Sequence, residues 1–251
     1  MVTEIRIRAF RATDDYETCL KFYEGHKKVL ENHGITKVTS SSHDWAFRNS
    51  VFVIVVESLD KSKLYGGARI HCADGINTLP IEDATHTMDP KISSVVNRYA
   101  QTGAGELCGL WNSIEVAGYG IGSIFSIRAA TVITEQIGIE SLFFLCSPVT
   151  VRFTQWIGSR VLTEVGNNGT FYYPKLDLLA TAVVLENAVG LENALPRERK
   201  RIMGMRKRLS LPTTETSPFK NILMNVHYDL KLLGVDKFEF KQINYKNLKA
   251  V

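Results

Sequence analysis

The residues whose type and spacing point most directly to chemistry are the glycines of Gly118-Tyr119-Gly120-Ile121-Gly122, set where a strand gives way to a helix. The stretch opening at Glu106-Leu107 is short and apolar-rich and ends in this glycine cluster, which predicts a strand. Beyond the glycines, Ile124, Ile127, Ala130 and Ile137 recur at helical spacing. Glycines at such a join leave backbone N–H groups uncovered by side chains, at the positive end of the helix dipole. The join, Ala117 to Gly122, is therefore a place to hold a phosphate. A tight turn that lets a helix lie close on a sheet uses the same residue types and stands beside that reading.

The stretch resembles the acetyl-coenzyme A binding core of the GNAT superfamily of N-acyltransferases. That pattern runs Glu-Leu, a strand ending in a hydrophobic residue, then x-x-Glu-x-Arg-Gly-x-Gly-x-Gly and a long helix. Glu106-Leu107, Glu115 and Gly118 to Gly122 fall in this register without a gap. Ala117 stands where the family has Arg or Gln, and Ile114 where it has Pro. Losing the Arg side chain weakens the grip on a diphosphate but leaves the backbone amides. The Rossmann fingerprint is a different arrangement, with glycines that open the domain and an acidic residue after the next strand.

The resemblance implies an α+β fold, a mixed central sheet flanked by helices, with a C-terminal extension. It implies a coenzyme A thioester as donor substrate, an amine as acceptor and no metal. The donor would lie against Ala117, Gly118, Tyr119, Gly120, Ile121 and Gly122. Its pantetheine arm would enter a wedge between the central strand and a splayed strand at Ser141 to Cys146, bonded by backbone groups near Asn112 and Ile114. Attack by an amine needs a base and an oxyanion donor. Glu106, matching the family's central-strand glutamate, is the expected base, directly or through water, and the N–H near Asn112 the expected donor. A structural carboxylate paired with Arg69 is the competing role for Glu106. The family's frequent general-acid tyrosine falls at Thr154, and an aliphatic hydroxyl is a poor proton donor. The departing thiol then takes its proton from water or from a tyrosine elsewhere, such as Tyr172 or Tyr173.

Gly67-Ala-Arg69, Leu79-Pro80 and Glu106 together look like the branch of autoinducer synthases and long-chain N-acyl amino acid synthases. An ordinary turn at Asp74-Gly75 and Pro80 accounts for the same residues. That branch uses acyl carrier protein as donor, and the basic run from Arg197 to Arg208 suits such an acidic partner. A solvated helix face is the other reading of the run, and without interleaved aromatics nucleic acid is a minor option. Ala117 and Thr154 also leave open a binding module that keeps the fold without turnover.

The elements that must position these residues follow from patterning. Glu4 to Phe10 alternates charged and apolar residues, a half-buried strand. Thr13 or Asp14 can cap the next helix, whose apolar face would be Tyr16, Leu20, Tyr23 and Leu30, ending at Asn32-His33-Gly34. Thr39 to Ser42 and the following His43-Asp44-Trp45 are polar and turn-rich and read as an exposed loop over the acceptor site. Val51 to Val56 reads as a central strand with Gly66 to His71 as its hairpin partner, and Ser141 to Cys146 as another buried strand. A short helix is expected over Val149 to Ile157 and a last core strand over Leu178 to Leu185. Residues 1–195 would form the acyltransferase domain and 196–251 a basic extension, with Leu211 to Pro218 a linker and a helix and edge strand after it. The 251 residues, 45% hydrophobic with a net charge of +4, can bury a full core. No apolar run is long enough to span a membrane, and the first residues lack a signal-peptide core. Cys19, Cys72, Cys108 and Cys146 are far apart in sequence, which predicts reduced thiols in a cytoplasmic protein.

Overall fold

The computed structural model of the chain describes residues 2–35, 42–237 and 239–240. Among them one mixed sheet carries the strands β1 (Glu4–Arg11), β2 (Val51–Glu57), β3 (Leu64–Cys72), β4 (Ala104–Asn112), β5 (Ser141–Cys146), β6 (Arg160–Val161), β7 (Thr170–Tyr172), β8 (Leu179–Leu185), β9 (Ser210–Thr216) and β10 (Leu223–Asp229). Their order is β6-β8-β5-β4-β3-β2-β1-β10-β9, with β7 also on β8. The β4–β5 and β1–β10 pairs are parallel and the others antiparallel.

Helices cover both faces, and the continuous apolar run of β2 follows from this. Phe52, Ile54 and Val56 belong to the core under α4 (Ser126–Ile137), while Val51, Val53 and Val55 belong to the core under α1 (Tyr16–Asn32). In β1 the expected alternation holds, with Ile5, Ile7 and Ala9 buried. The face that α1 buries differs from the expected one. Cys19, Phe22 and His26 point inward and Tyr16 is exposed, because Phe22 sits edge-on to both Trp45 and Trp111, rings the helical periodicity cannot foresee. Its N-cap is Asp15 and not Thr13 or Asp14: the Asp15 carboxylate accepts from Thr18 N at 3.0 Å, Asp14 being taken up in a preceding single turn.

The segment from Cys72 to Gly105 holds two helices where only a turn was legible, α2 (Pro80–Thr85) and α3 (Lys91–Ala100). α5 (Pro148–Trp156) follows β5, as expected. Residues 196–229 add α6 (Pro196–Arg206) and the β9–β10 hairpin, and β10 pairs with β1, so this segment continues the sheet. The expected Thr/Ser/Pro linker is β9 itself. Its β-branched Thr213, Thr214 and Thr216 pair across to β10, and Pro212 is tolerated because β9 is a sheet edge. Thr39 to Ser41 of the expected loop lie outside the described residues, as do residues 241–251, whereas the His43-Asp44-Trp45 part is not an open loop: Asp44–Phe47 form a single 3-10 turn that buries Trp45.

Candidate active site

The strands β4 and β5 run side by side only through Ala104↔Ser141, Gly105↔Leu142 and Glu106↔Phe143. Beyond Glu106 they part, β4 staying with β3 and β5 with β8. At the same level β4 bulges. Between Gly67↔Trp111 and Arg69↔Cys108 it carries an extra residue, and Gly109 there takes φ +62°. The opening left between the strands is a cavity of about 270 Å³. Glu106, Cys108, Gly109 and Leu110 line it from β4, Phe144 and Cys146 from β5, and His26, Pro80 and Tyr173 close it from α1, α2 and the segment before β8.

Glu106 is 2% exposed, and its Oε2 accepts from Ile81 N at 2.6 Å, in the first turn of α2. Burial, first, and then the charges of Glu82 and Asp83 push its carboxyl up to about 8, against the opposing pull of the Ile81 N–H and of the Arg69 charge. A carboxyl poised there exchanges a proton near neutral pH. Arg69, 1% exposed, lays its guanidinium 4.4 Å over the Trp45 ring. Its charge stabilises the Glu106 carboxylate, while the hydrogen bond to Glu106 comes from α2.

His26 is a residue that sequence reasoning missed. It lies on the inward stripe of α1, and burial, reinforced by the Arg69 charge, lowers it to about 4, so the imidazole is neutral at neutral pH. The signal that finds it is its i, i+4 step from Phe22, visible once Phe22 is known to face inward. Burial pushes the Cys108 thiol up to about 11 and the Cys146 thiol up to about 12, so neither is a thiolate near neutral pH. Thr154 is fully buried and gives its hydroxyl to Val151 O in its own helix at 2.9 Å. Of the two tyrosines considered as proton donors, Tyr173 lines the cavity and Tyr172 is 63% exposed.

The other expected site residues form a second cluster. Asn112 closes β4, and Ile114 lies in the following turn with its side chain exposed. Ala117 to Gly120 make a loop, and Ile121 to Phe125 a wide turn closed by Phe125 N to Gly120 O at 3.1 Å, which leads into α4. The glycines serve close packing and a left-handed backbone. Gly122 is a close approach of helix to sheet, since a Cβ there would stand 2.1 Å from Trp111 O. Gly118 and Gly120 take φ +81° and +80°, backbone that side-chain-bearing residues rarely adopt. Over them lies the turn between β9 and β10, with Ser217 Oγ 3.5 Å from Gly118 O and the Lys220 ammonium 5.0 Å above the Tyr119 ring. Glu115 is at the surface, paired with Lys63 at 3.0 Å.

Several solved structures superpose on this chain. The N-acyl amino acid synthase FeeM from uncultured soil microbes superposes with a TM-score of 0.57 at 13% identity, over 79% of this chain and 99% of that one. The coenzyme A-dependent acyl-homoserine lactone synthase BjaI, solved with SAM and isopentyl-CoA, gives 0.52 at 11%, over 81% and 90%. Escherichia coli ElaA gives 0.50 at 11%, over 72% and 99%. The chain has the GNAT acyltransferase fold. No family model matches the sequence, and neither does any curated protein. Among the described residues of this GNAT-fold chain no helix is long and apolar enough to cross a membrane, and the four cysteines are free thiols.

Proposed function

We propose that the chain transfers an acyl group from a pantetheine thioester to a small amine. The observation that carries this reading is the parting of β4 and β5 immediately after Glu106, which opens a cavity onto a buried, proton-exchanging carboxyl. The thioester arm occupies the wedge, its carbonyl at the β4 bulge. The amine attacks the carbonyl carbon, a C–N bond forms, and the amine proton passes to Glu106 directly or through one water. The oxyanion takes its backbone N–H donor from Gly109 or Leu110, residues that line the cavity, in preference to the N–H near Asn112. As the C–S bond breaks, the sulfur takes its proton from water or from Tyr173. With both cavity thiols held protonated, direct attack by the amine is favoured over an acyl-cysteine intermediate.

The family of FeeM and BjaI suggests an amino acid or a related α-amine as acceptor. The test is amine-dependent thiol release from a panel of coenzyme A thioesters. Glu106→Gln is expected to lower kcat/KM at least tenfold and to flatten its rise with pH through about 8. Thioester binding without release for any amine supports instead a binding module, the reading that Ala117 and the internally bonded Thr154 favour.

A further inference from the structure

The helix α6 sorts its cations by face. Arg199 donates to Gly190 O and Arg206 to the carbonyls of Thr131, Ala188 and Val189, so these two are engaged by the chain itself. Arg197, Lys200, Arg201, Lys207 and Arg208 recur on another stripe, and they line a cavity of about 540 Å³ between α6 and the β9–β10 hairpin. This cavity shares no lining residue with the one at Glu106. The carboxylate that lines it, Glu215, is 6% exposed and already taken: it pairs with Arg201 and accepts from the Tyr228 hydroxyl at 3.3 Å. Among the described residues no carboxylate pairs with Lys200, Lys207 or Arg208. Burial, first, and then the Arg128 charge hold Arg201 below the ordinary guanidinium range, and the second cause is a repulsion that a bound anion would relieve. Gly204 lies on the same stripe, between Arg201 and Lys207. Glycine weakens a helix interior, and a Cβ there would meet no described atom within 4 Å, so packing against neighbouring protein does not demand it. Its missing side chain leaves the cavity floor open.

We infer that the cavity between α6 and β9 is a binding site for a small polyphosphate, a run of linked phosphate groups that is free or carried by a nucleotide, held by Lys200, Lys207 and Arg208 with the Thr213 and Thr214 hydroxyls on the facing wall. The volume falls in the range of small-ligand sites. A concave cationic wall between a helix and a hairpin admits a slim anion, whereas a protein surface reaches only its rim. Unpaired cations beside hydroxyl donors suit phosphate oxygens, which accept several charge-assisted hydrogen bonds each. The site stands apart from the acyl-transfer reading and does not depend on it.

The experiment is calorimetric titration of the full chain with inorganic tripolyphosphate, adenosine triphosphate and a single-stranded oligonucleotide, with and without coenzyme A, for the wild type, Gly204→Leu and the double variant Lys200→Gln, Lys207→Gln. Gly204→Leu keeps every charge and fills the floor, and it is expected to weaken tripolyphosphate at least tenfold. The double variant is expected to weaken it about tenfold and to reduce the salt dependence of binding. Adenosine triphosphate binding tenfold tighter than tripolyphosphate supports a nucleotide as the source, and equal binding supports free polyphosphate. Absence of tripolyphosphate binding, retention within twofold in Gly204→Leu, or displacement by coenzyme A overturns the site. An oligonucleotide that binds tighter than tripolyphosphate and is unaffected by Gly204→Leu overturns it too, in favour of an extended nucleic-acid surface. Leucine is a good helix former placed in open space, and Lys200 and Lys207 are exposed, so both variants are expected to keep the wild-type urea midpoint or exceed it.

Discussion

Glu106→Gln tests the electrostatics of the site without any substrate. The carboxyl is held at about 8 in the folded chain against an ordinary 4.5, chiefly because it is buried. With each pKa step equal to about 1.4 kcal/mol, ionising it in place costs on the order of 5 kcal/mol more than in the unfolded chain. The sign follows from proton counts. Between the two values the unfolded chain has released the proton and the folded chain keeps it, so stability falls as pH rises from about 4.5 towards about 8. Between pH 5 and pH 8 the wild type is expected to lose about 3 to 4 kcal/mol from this group, or roughly 10 °C in melting temperature for a chain of this size. Glutamine keeps an oxygen for the Ile81 N–H and carries no charge, so Glu106→Gln loses none of this. Its own penalty, an amide N–H₂ in a buried site, is independent of pH. The assay is urea unfolding of both proteins at half-unit pH intervals, and the measured quantity is their difference. A difference that stays constant from pH 5 to pH 8 refutes the burial of an unionised carboxyl, and with it the match between Glu106 and the proton it is proposed to take.

Other substitutions probe the frame around it. His26, lowered by burial to about 4, has the opposite sign: the wild type is expected to lose about 3 kcal/mol between pH 7 and pH 4 as the unfolded imidazole takes up a proton, and His26→Gln to remove that loss in acid unfolding curves. Arg128 on α4 donates to Glu198 on α6 through Nε at 2.7 Å and Nη2 at 2.8 Å, both residues being buried. Glu198→Ala strands that guanidinium and is expected to cost about 3 to 5 kcal/mol in urea unfolding, while Arg128→Met with Glu198→Leu recovers most of it. Equal losses in the single and double variants would show that packing, and not the stranded charge, sets the penalty.

Local patterning made much of the frame legible. β1 shows its alternation, β2 reads as buried on both faces because every residue from Val51 to Val56 is apolar, and the strand-to-helix glycines announce themselves by type. Local pattern fails where long-range pairing decides. Ser210 to Thr216 reads as a polar linker because an edge strand needs only one partner and buries little; only β10, docked on β1, makes it a strand. The segment after Cys72 shows its Pro and Gly but hides α2, a helix of six residues that matters through one N–H to Glu106.

What the sequence determined by itself is the set of local conformations: a strand opened by Glu106, glycines at positions needing a left-handed backbone, and a helix behind them. What tertiary structure decided is every property that depends on neighbours remote in the chain. Glu106 is shifted because α2 and the sheet exclude water from it, His26 faces the cavity because Phe22 wedges between two tryptophans, and Lys220 reaches the loop because β10 pairs with β1. Proton affinity and charge placement are set by solvent exclusion and by distance in space, quantities that spacing along a chain does not encode.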